Sequence, residues 1–172
     1  SLLRSRRHDP REQLSWDDGP DHAYDALWRA ARTRNLVLGV RSPANLAWRF
    51  VEAPGPRHRF VSLRAGGAVR AYAVVQTHVD VIYVRDLFGV DAAAVGDLLD
   101  RLLDDLRAEG ARAVSINHFG ASWLPALLVA RGFRPREEQR AILVDAGQDA
   151  RLPPEALRSP EAWYFTDFDE PG

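Results

Sequence analysis

The run from Val79 to Asn117, VDVIYVRDLFGVDAAAVGDLLDRLLDDLRAEGARAVSIN, decides the fold. Its first part, Val79–Leu87, alternates: Val79, Val81, Tyr83 and Arg85 on one side, Asp80, Ile82, Val84 and Asp86 on the other. Neither side is uniformly apolar, which suits a strand partly covered on both faces. Asp91 then opens a helix whose apolar stripe is Val95, Leu98, Leu99, Leu102, Leu103 and Leu106, and Gly110 closes it. The outer face holds Asp97, Asp100, Arg101, Asp104, Asp105, Arg107 and Glu109. Ala113–Asn117 follows as a short strand. A strand, a helix and a second strand in this order imply parallel pairing through a right-handed crossover.

Upstream, Phe60–Arg64 and Val69–Gln76 flank Ala65-Gly66-Gly67-Ala68, a sound hairpin turn, so the sheet is expected to be mixed. A helix is predicted from Asp21, with Tyr24, Leu27, Trp28 and Ala31 on one face and Asp21 as its cap. Ser42-Pro43 opens a second helix carrying Leu46, Trp48, Arg49 and Phe50, ended by Pro54-Gly55-Pro56. Residues 1–20 read as an N-terminal extension or edge segment, with a short strand around Gln13–Trp16, and residues 21–172 as one domain. Downstream, Trp123–Arg131 is a helix stopping at Gly132. Phe133–Arg136 and Arg140–Val144 read as strands, and Trp163-Tyr164-Phe165 as a last strand or docking segment. Trp48, Phe50, Trp123 and Trp163 are expected in the core or a cleft wall.

Composition narrows the chemistry. The 172 residues suffice for one domain with a full core, and 46% hydrophobic with 27% charged residues is ordinary for a globular chain. No cysteine is present, which excludes disulfides, thiolate metal sites and a Cys nucleophile. All 23 basic residues are arginines, so Schiff-base chemistry and a P-loop lysine are excluded too. The five histidines include no pair spaced three to five residues apart for zinc. A net charge of −1 offers no field for nucleic acid, and no apolar run reaches the roughly 18 residues of a membrane span. A cytoplasmic location is expected. The start at Ser1 and the absence of Met suggest a piece of a longer protein.

From Asp21 to Val144 this order of elements resembles the GNAT superfamily of N-acyltransferases. Short stretches bear the likeness: Asn45-Leu46-Ala47-Trp48-Arg49-Phe50, Arg85-Asp86-Leu87-Phe88, Arg131-Gly132-Phe133 and Trp163-Tyr164-Phe165-Thr166-Asp167. The nearest likeness is to the second unit of bacterial tandem GNAT-like proteins. The resemblance implies an α/β (α+β) fold with a mixed, mostly antiparallel central sheet flanked by helices. It also implies acetyl-CoA or another acyl-CoA as cofactor, or an acyl carrier protein as donor. The partner would be a small amine, such as an amino sugar or amino acid, or a second GNAT-like domain.

The family's pyrophosphate loop matches Asp91-Ala92-Ala93-Ala94-Val95-Gly96, where Ala92, Ala93, Ala94, Val95 and Gly96 would line the cofactor with helix N–H groups. Asp91 departs from the family pattern, because a carboxylate caps those N–H groups and repels phosphate. Leu128 stands where the family often has a proton-donating Tyr. Asp86 and His118 are the candidate catalytic groups, Asp86 as a buried carboxylate base or else the partner of an arginine such as Arg85 or Arg112. Backbone N–H groups near Leu87 and Phe88 would hold the oxyanion, and Asn117 would lie beside the acyl cleft. Acyl transfer to an amine is one functional expectation; a catalytically silent GNAT-like module supporting a neighbouring domain or partner is the other.

Overall fold

The computed structural model describes residues 9–136 and 154–170. Strand β1 (Glu12–Asp17) leads to helix α1 (Ala23–Ala31), a short β2 (Val37–Leu38) and α2 (Pro43–Ala47), which runs on as a π-helical turn over Trp48–Glu52. Then come β3 (Arg59–Ala65), β4 (Ala68–His78), β5 (Val81–Gly89), α3 (Ala92–Ala108), β6 (Ala113–Ile116), β7 (Phe119–Gly120) and α4 (Trp123–Val129). Among the described residues from 154 on, α5 (Pro154–Leu157) and a 3₁₀ turn precede β8 (Trp163–Phe165), and a second 3₁₀ turn covers Asp167–Asp169.

The main sheet has five strands in the order β1-β3-β4-β5-β6, and a small sheet has the order β2-β8-β7. Pairings from β1 to β5 are antiparallel, and β5 with β6 is parallel, as the Val79–Asn117 crossover requires. The Gly66-Gly67 hairpin forms, with both glycines at positive φ. The strand expected near Gln13–Trp16 is β1, the edge of the main sheet.

Cross-strand partners share a face, so the register sorts the core into two sides. Ser62 faces Tyr72 and Tyr72 faces Phe88, while Phe60 faces Val74 and Val74 faces Asp86. Tyr24 of α1 lies against Phe60 and Tyr72, and Phe50 of the π-helical turn against Phe60, so these elements cover that side. The opposite side takes α3, since Val95 closes on Gly89 and Ala71 so tightly that a Cβ at Gly89 would meet them at 2.8 and 2.9 Å. Helix α3 buries Val95, Leu98, Leu99, Leu102 and Leu106 there, at about 1.5–3 kcal/mol for each full-sized apolar side chain.

Three expectations change. Phe133–Arg136 forms no strand: the Phe133 N–H donates to Leu128 O to close α4, and Pro135 has no N–H to give a ladder. Trp48 is not in the core but 65% exposed, because the widened π-turn directs Phe50 inward instead. Leu103 of the α3 stripe is only half-buried, at the stripe's margin. Arg140–Val144 lies outside the described residues.

Candidate active site

Strand β5 outruns its parallel neighbour. Pairing with β6 stops at Val84 with Ile116, whereas β5 continues to Gly89 beside β4. Val74 faces Asp86 while Val75 faces Val84, which leaves Arg85 as an extra residue in a β-bulge where the two strands part. Beyond it the ladder phase is fixed by Val90 N–H donating to Arg70 O. In an antiparallel pair that phase alternates, so Asp86 and Phe88 direct their main-chain groups at β4, and Leu87 and Gly89 direct theirs into the gap. Of the two residues expected to offer an oxyanion N–H, Leu87 therefore faces the gap; the Phe88 N–H is turned toward Tyr72. Two side chains reach this edge from across the gap: the Tyr164 hydroxyl donates to Leu87 O, and Arg34 donates to Gly89 O at 2.5 Å.

Tyr164 is buried, and burial pushes its phenol well above the usual range. Its ring stacks on Trp123, and the Arg34 guanidinium lies over the Trp123 ring, 5.2 Å from its centroid. The shallow depression lined by Arg34, Asn35, Phe88, Gly89, Trp123 and Tyr164 leaves no interior space for a water molecule.

Asp86 is fully buried beneath this edge. Arg41 Nε approaches its two oxygens at 3.1 and 3.2 Å, Tyr72 OH donates to Oδ2 at 2.6 Å, and Thr166 OH donates to Oδ1 at 2.7 Å. The arginine that pairs with it is thus Arg41, neither Arg85 nor Arg112; Arg112 pairs with Asp80. Arg41 is itself buried, and its Nη2 reaches Asp169 at 2.6 Å and Thr166 at 3.1 Å. Burial is the largest influence on Asp169 and holds its carboxyl above the usual value despite that pairing.

Asn117 follows β6 directly, and its side-chain amide donates to Asp167 Oδ1 at 2.9 Å. Asp167 Oδ2 meets Arg85 Nη1 at 2.6 Å, so one carboxylate spans the place where β5 and β6 separate. His118 has Nδ1 3.1 Å from Phe165 O and Nε2 3.3 Å from Ala121 O. A neutral ring can donate to only one of these carbonyls. Burial lowers the His118 pKa and outweighs both carbonyls, which favour the charged form.

At the start of α3, Asp91 Oδ1 accepts from Ala94 N–H at 2.7 Å, as a capping carboxylate should. Ala93 is exposed and Ala92 half-exposed, whereas Ala94, Val95 and Gly96 are buried. Gly96 gives room to Arg131: a Cβ there would lie 2.6 Å from Arg131 Nη2, whose guanidinium pairs with Asp100 at 2.8 Å. Among the described residues no group of three or more His, Asp or Glu could hold a metal ion, and no helix is long and apolar enough to cross a membrane.

Tyr164 links three of the expected residues, through its hydroxyl on Leu87 O and ring contacts of 6.0 Å with Phe88 and 5.3 Å with His118. Asn117 meets Asp167 instead, Asp86 is enclosed by Arg41, Tyr72 and Thr166, and Ala92–Gly96 follow Gly89 along the chain. Arg34, Arg41 and Asp167 were not singled out from sequence. Each acts on partners from 45 to 128 positions away, or across the sheet, and none sits in a spacing that marks chemistry.

No protein-family model and no curated protein matches the sequence. Among solved structures the chain is similar to the ribosomal-protein-S18-alanine N-acetyltransferase from Escherichia coli, with TM-score 0.54 and 17% identity over 73% of this chain and 79% of that one. It is also similar to an aminoglycoside acetyltransferase from an uncultured soil metagenomic sample, with TM-score 0.48 and 14% identity over 79% of this chain and 99% of that one. The chain has the fold of the GNAT acetyltransferases.

Proposed function

We propose that the domain transfers an acyl group from a thioester, acyl-CoA or an acyl carrier, to a small amine. The observation behind this reading is that β5 runs past β6, so the main chain of Leu87 and Gly89 faces a gap that leads toward the α3 N-terminus. An extended thioester arm can add there as a strand would, with the Leu87 N–H available to a developing oxyanion. In this reading His118, two residues beyond β6, is the base, which requires its acceptor nitrogen to turn away from the carbonyl it faces, and Asp86 holds the wall of the site through Arg41 and Thr166. The similar structures are an N-acetyltransferase of ribosomal protein S18 alanine and an aminoglycoside acetyltransferase; an amino sugar or amino acid is the acceptor class proposed for this chain.

A second reading is a silent module that supports a neighbouring domain or partner. It is favoured by the occupied contacts: Asp91 on the Ala94 N–H, Arg131 against Gly96, Tyr164 on Leu87 O and Arg34 on Gly89 O. Calorimetric titration with acetyl-CoA and a longer acyl-CoA, beside Asp91→Gly, separates the two. Micromolar binding by the unaltered chain supports acyl transfer. Binding only after Asp91→Gly supports the silent module, and no binding by either removes acyl-CoA from the proposal.

A further inference from the structure

The carboxylate that reaches the gap is Asp167, not Asp86, whose oxygens are filled by Arg41, Tyr72 and Thr166. Its two oxygens are held differently. Oδ1 takes a neutral hydrogen bond from Asn117, which fixes the plane of the carboxylate. Oδ2 takes a cation, Arg85, from the β5 bulge. Asp167 is 7% exposed and Arg85 is the part-exposed group over it, with 29% of its side chain open. Arg85 also has other partners to keep it in place if it lets go: Nε donates to Gln76 Oε1 at 2.8 Å, and its guanidinium lies 5.0 Å from the Tyr83 centroid. Asp167 likewise does not depend on Arg85 for its position. Arg49 donates to its main-chain oxygen, and Asn117 holds the other carboxylate oxygen.

We propose that Asp167 receives the amino group of the acceptor and that Arg85 fills that place in the free protein. A primary ammonium offers the same charge and N–H donors to Oδ2 that Arg85 offers. Arg85 and Leu87 are two residues apart in β5, about 7 Å along a strand. An amine on Asp167 therefore stands next to the edge where the thioester is proposed to lie. This inference rests on the acyl-transfer reading for its meaning, but its test does not.

The test is a titration of the ¹⁵N-labelled chain with two amine probes, glucosamine and alaninamide, following the Arg85 Nε–H and Asn117 side-chain amide signals. Both signals should shift together and saturate. Asp167→Asn should weaken amine binding by at least about tenfold, the scale of one charge-assisted hydrogen bond. Arg85→Gln, which removes the competing cation, should tighten it by about fivefold, the scale of one partly exposed ion pair. Because the two variants act in opposite directions, a general loss of folding cannot imitate the pattern. Amine binding unchanged in Asp167→Asn, or no binding by either the unaltered chain or Arg85→Gln, overturns the inference. Acetyl-CoA binding measured on the same samples reads the acyl-transfer proposal separately: it can fail while Asp167-dependent amine binding stands, and the reverse.

Discussion

The two faces of the central sheet are held by different physics. On one, α3 lays a stripe of Val and Leu across β3, β4 and β5; Asp104, Asp105 and Arg107 face solvent, while Arg101 and Asp100 pair with Glu12 and Arg131 at the margins of the stripe. On the other, a buried arginine and two carboxylates tie β5, the Gly39–Arg41 segment and the chain's last described residues together. The first side is non-directional and tolerates adjustment. The second depends on each partner, because a buried charge left alone is far more costly than a missing methylene. The candidate site lies against the second side, so its shape is set by a polar network.

The largest effect expected from this contrast is at Arg41. Arg41→Leu leaves Asp86 and Asp169 buried without their cation, and should cost about 3–5 kcal/mol in urea unfolding. The loss should concentrate in the C-terminal segment, since Arg41 also lies 4.7 Å from the Phe168 ring and 5.4 Å from that of Tyr164. Faster proteolysis there, with α3 still protected from amide exchange, is the signature to look for. A loss below about 1 kcal/mol would mean that the network adds little to stability and the two faces are more alike than their composition.

The same contrast explains what the sequence disclosed. Helix α3 and its capping Asp91, the Gly66-Gly67 hairpin and the parallel β5–β6 pair are local or periodic features, and all were legible. The Ser42-Pro43 helix start was legible for the same reason: Ser42 accepts from Asn45 N–H and Pro43 stands in the first turn. The small β2-β8-β7 sheet was not. Its strands are two and three residues long, too short for any period, and β2 pairs with β8 across more than a hundred positions. Arg41 stands beside a helix start with nothing in its neighbours to announce burial. Asp86 could be marked as a buried carboxylate with an arginine partner, but its distant Arg41 could not be told from the nearby Arg85 or Arg112. Likewise Asp167 stands in the sequence only as the end of the Trp163–Asp167 stretch, and its partners Arg85 and Asn117 are 82 and 50 positions away.

A smaller effect should appear with acid. His118 and His58 are both held below the usual histidine value, in each case first by burial. The unfolded chain, with histidines near 6.5, then binds more protons than the folded one just below that pH. Stability is therefore complete above about pH 6.5 and falls as the pH drops through the folded values. Asp169 works in the opposite sense, because its raised value favours the folded state at acid pH, and that contribution is lost as the pH rises through its folded value. The melting temperature should decline between about pH 7 and pH 5.5, and His118→Phe should flatten part of that decline. No flattening would place the acid sensitivity outside the site.

The smallest change tests the sheet that both faces share. The β4–β5 hairpin turns through Val79 and Asp80, with His78 facing Val81. Val79 has φ of +56°, and it is the one non-glycine residue with positive φ among those described. A two-residue hairpin loop with positive φ at its first central position is where glycine is favoured, and a β-branched side chain there is strained. Val79 is 84% exposed, so its side chain contributes no packing in exchange. Val79→Gly should therefore raise stability by about 1 kcal/mol, the scale of one left-handed residue relieved. The hairpin joins the central strand β4 to β5, so exchange protection should rise equally in α3 and in the β8 segment. A gain confined to one face would show that the faces open independently, and that the network around Arg41 is a separate cooperative unit.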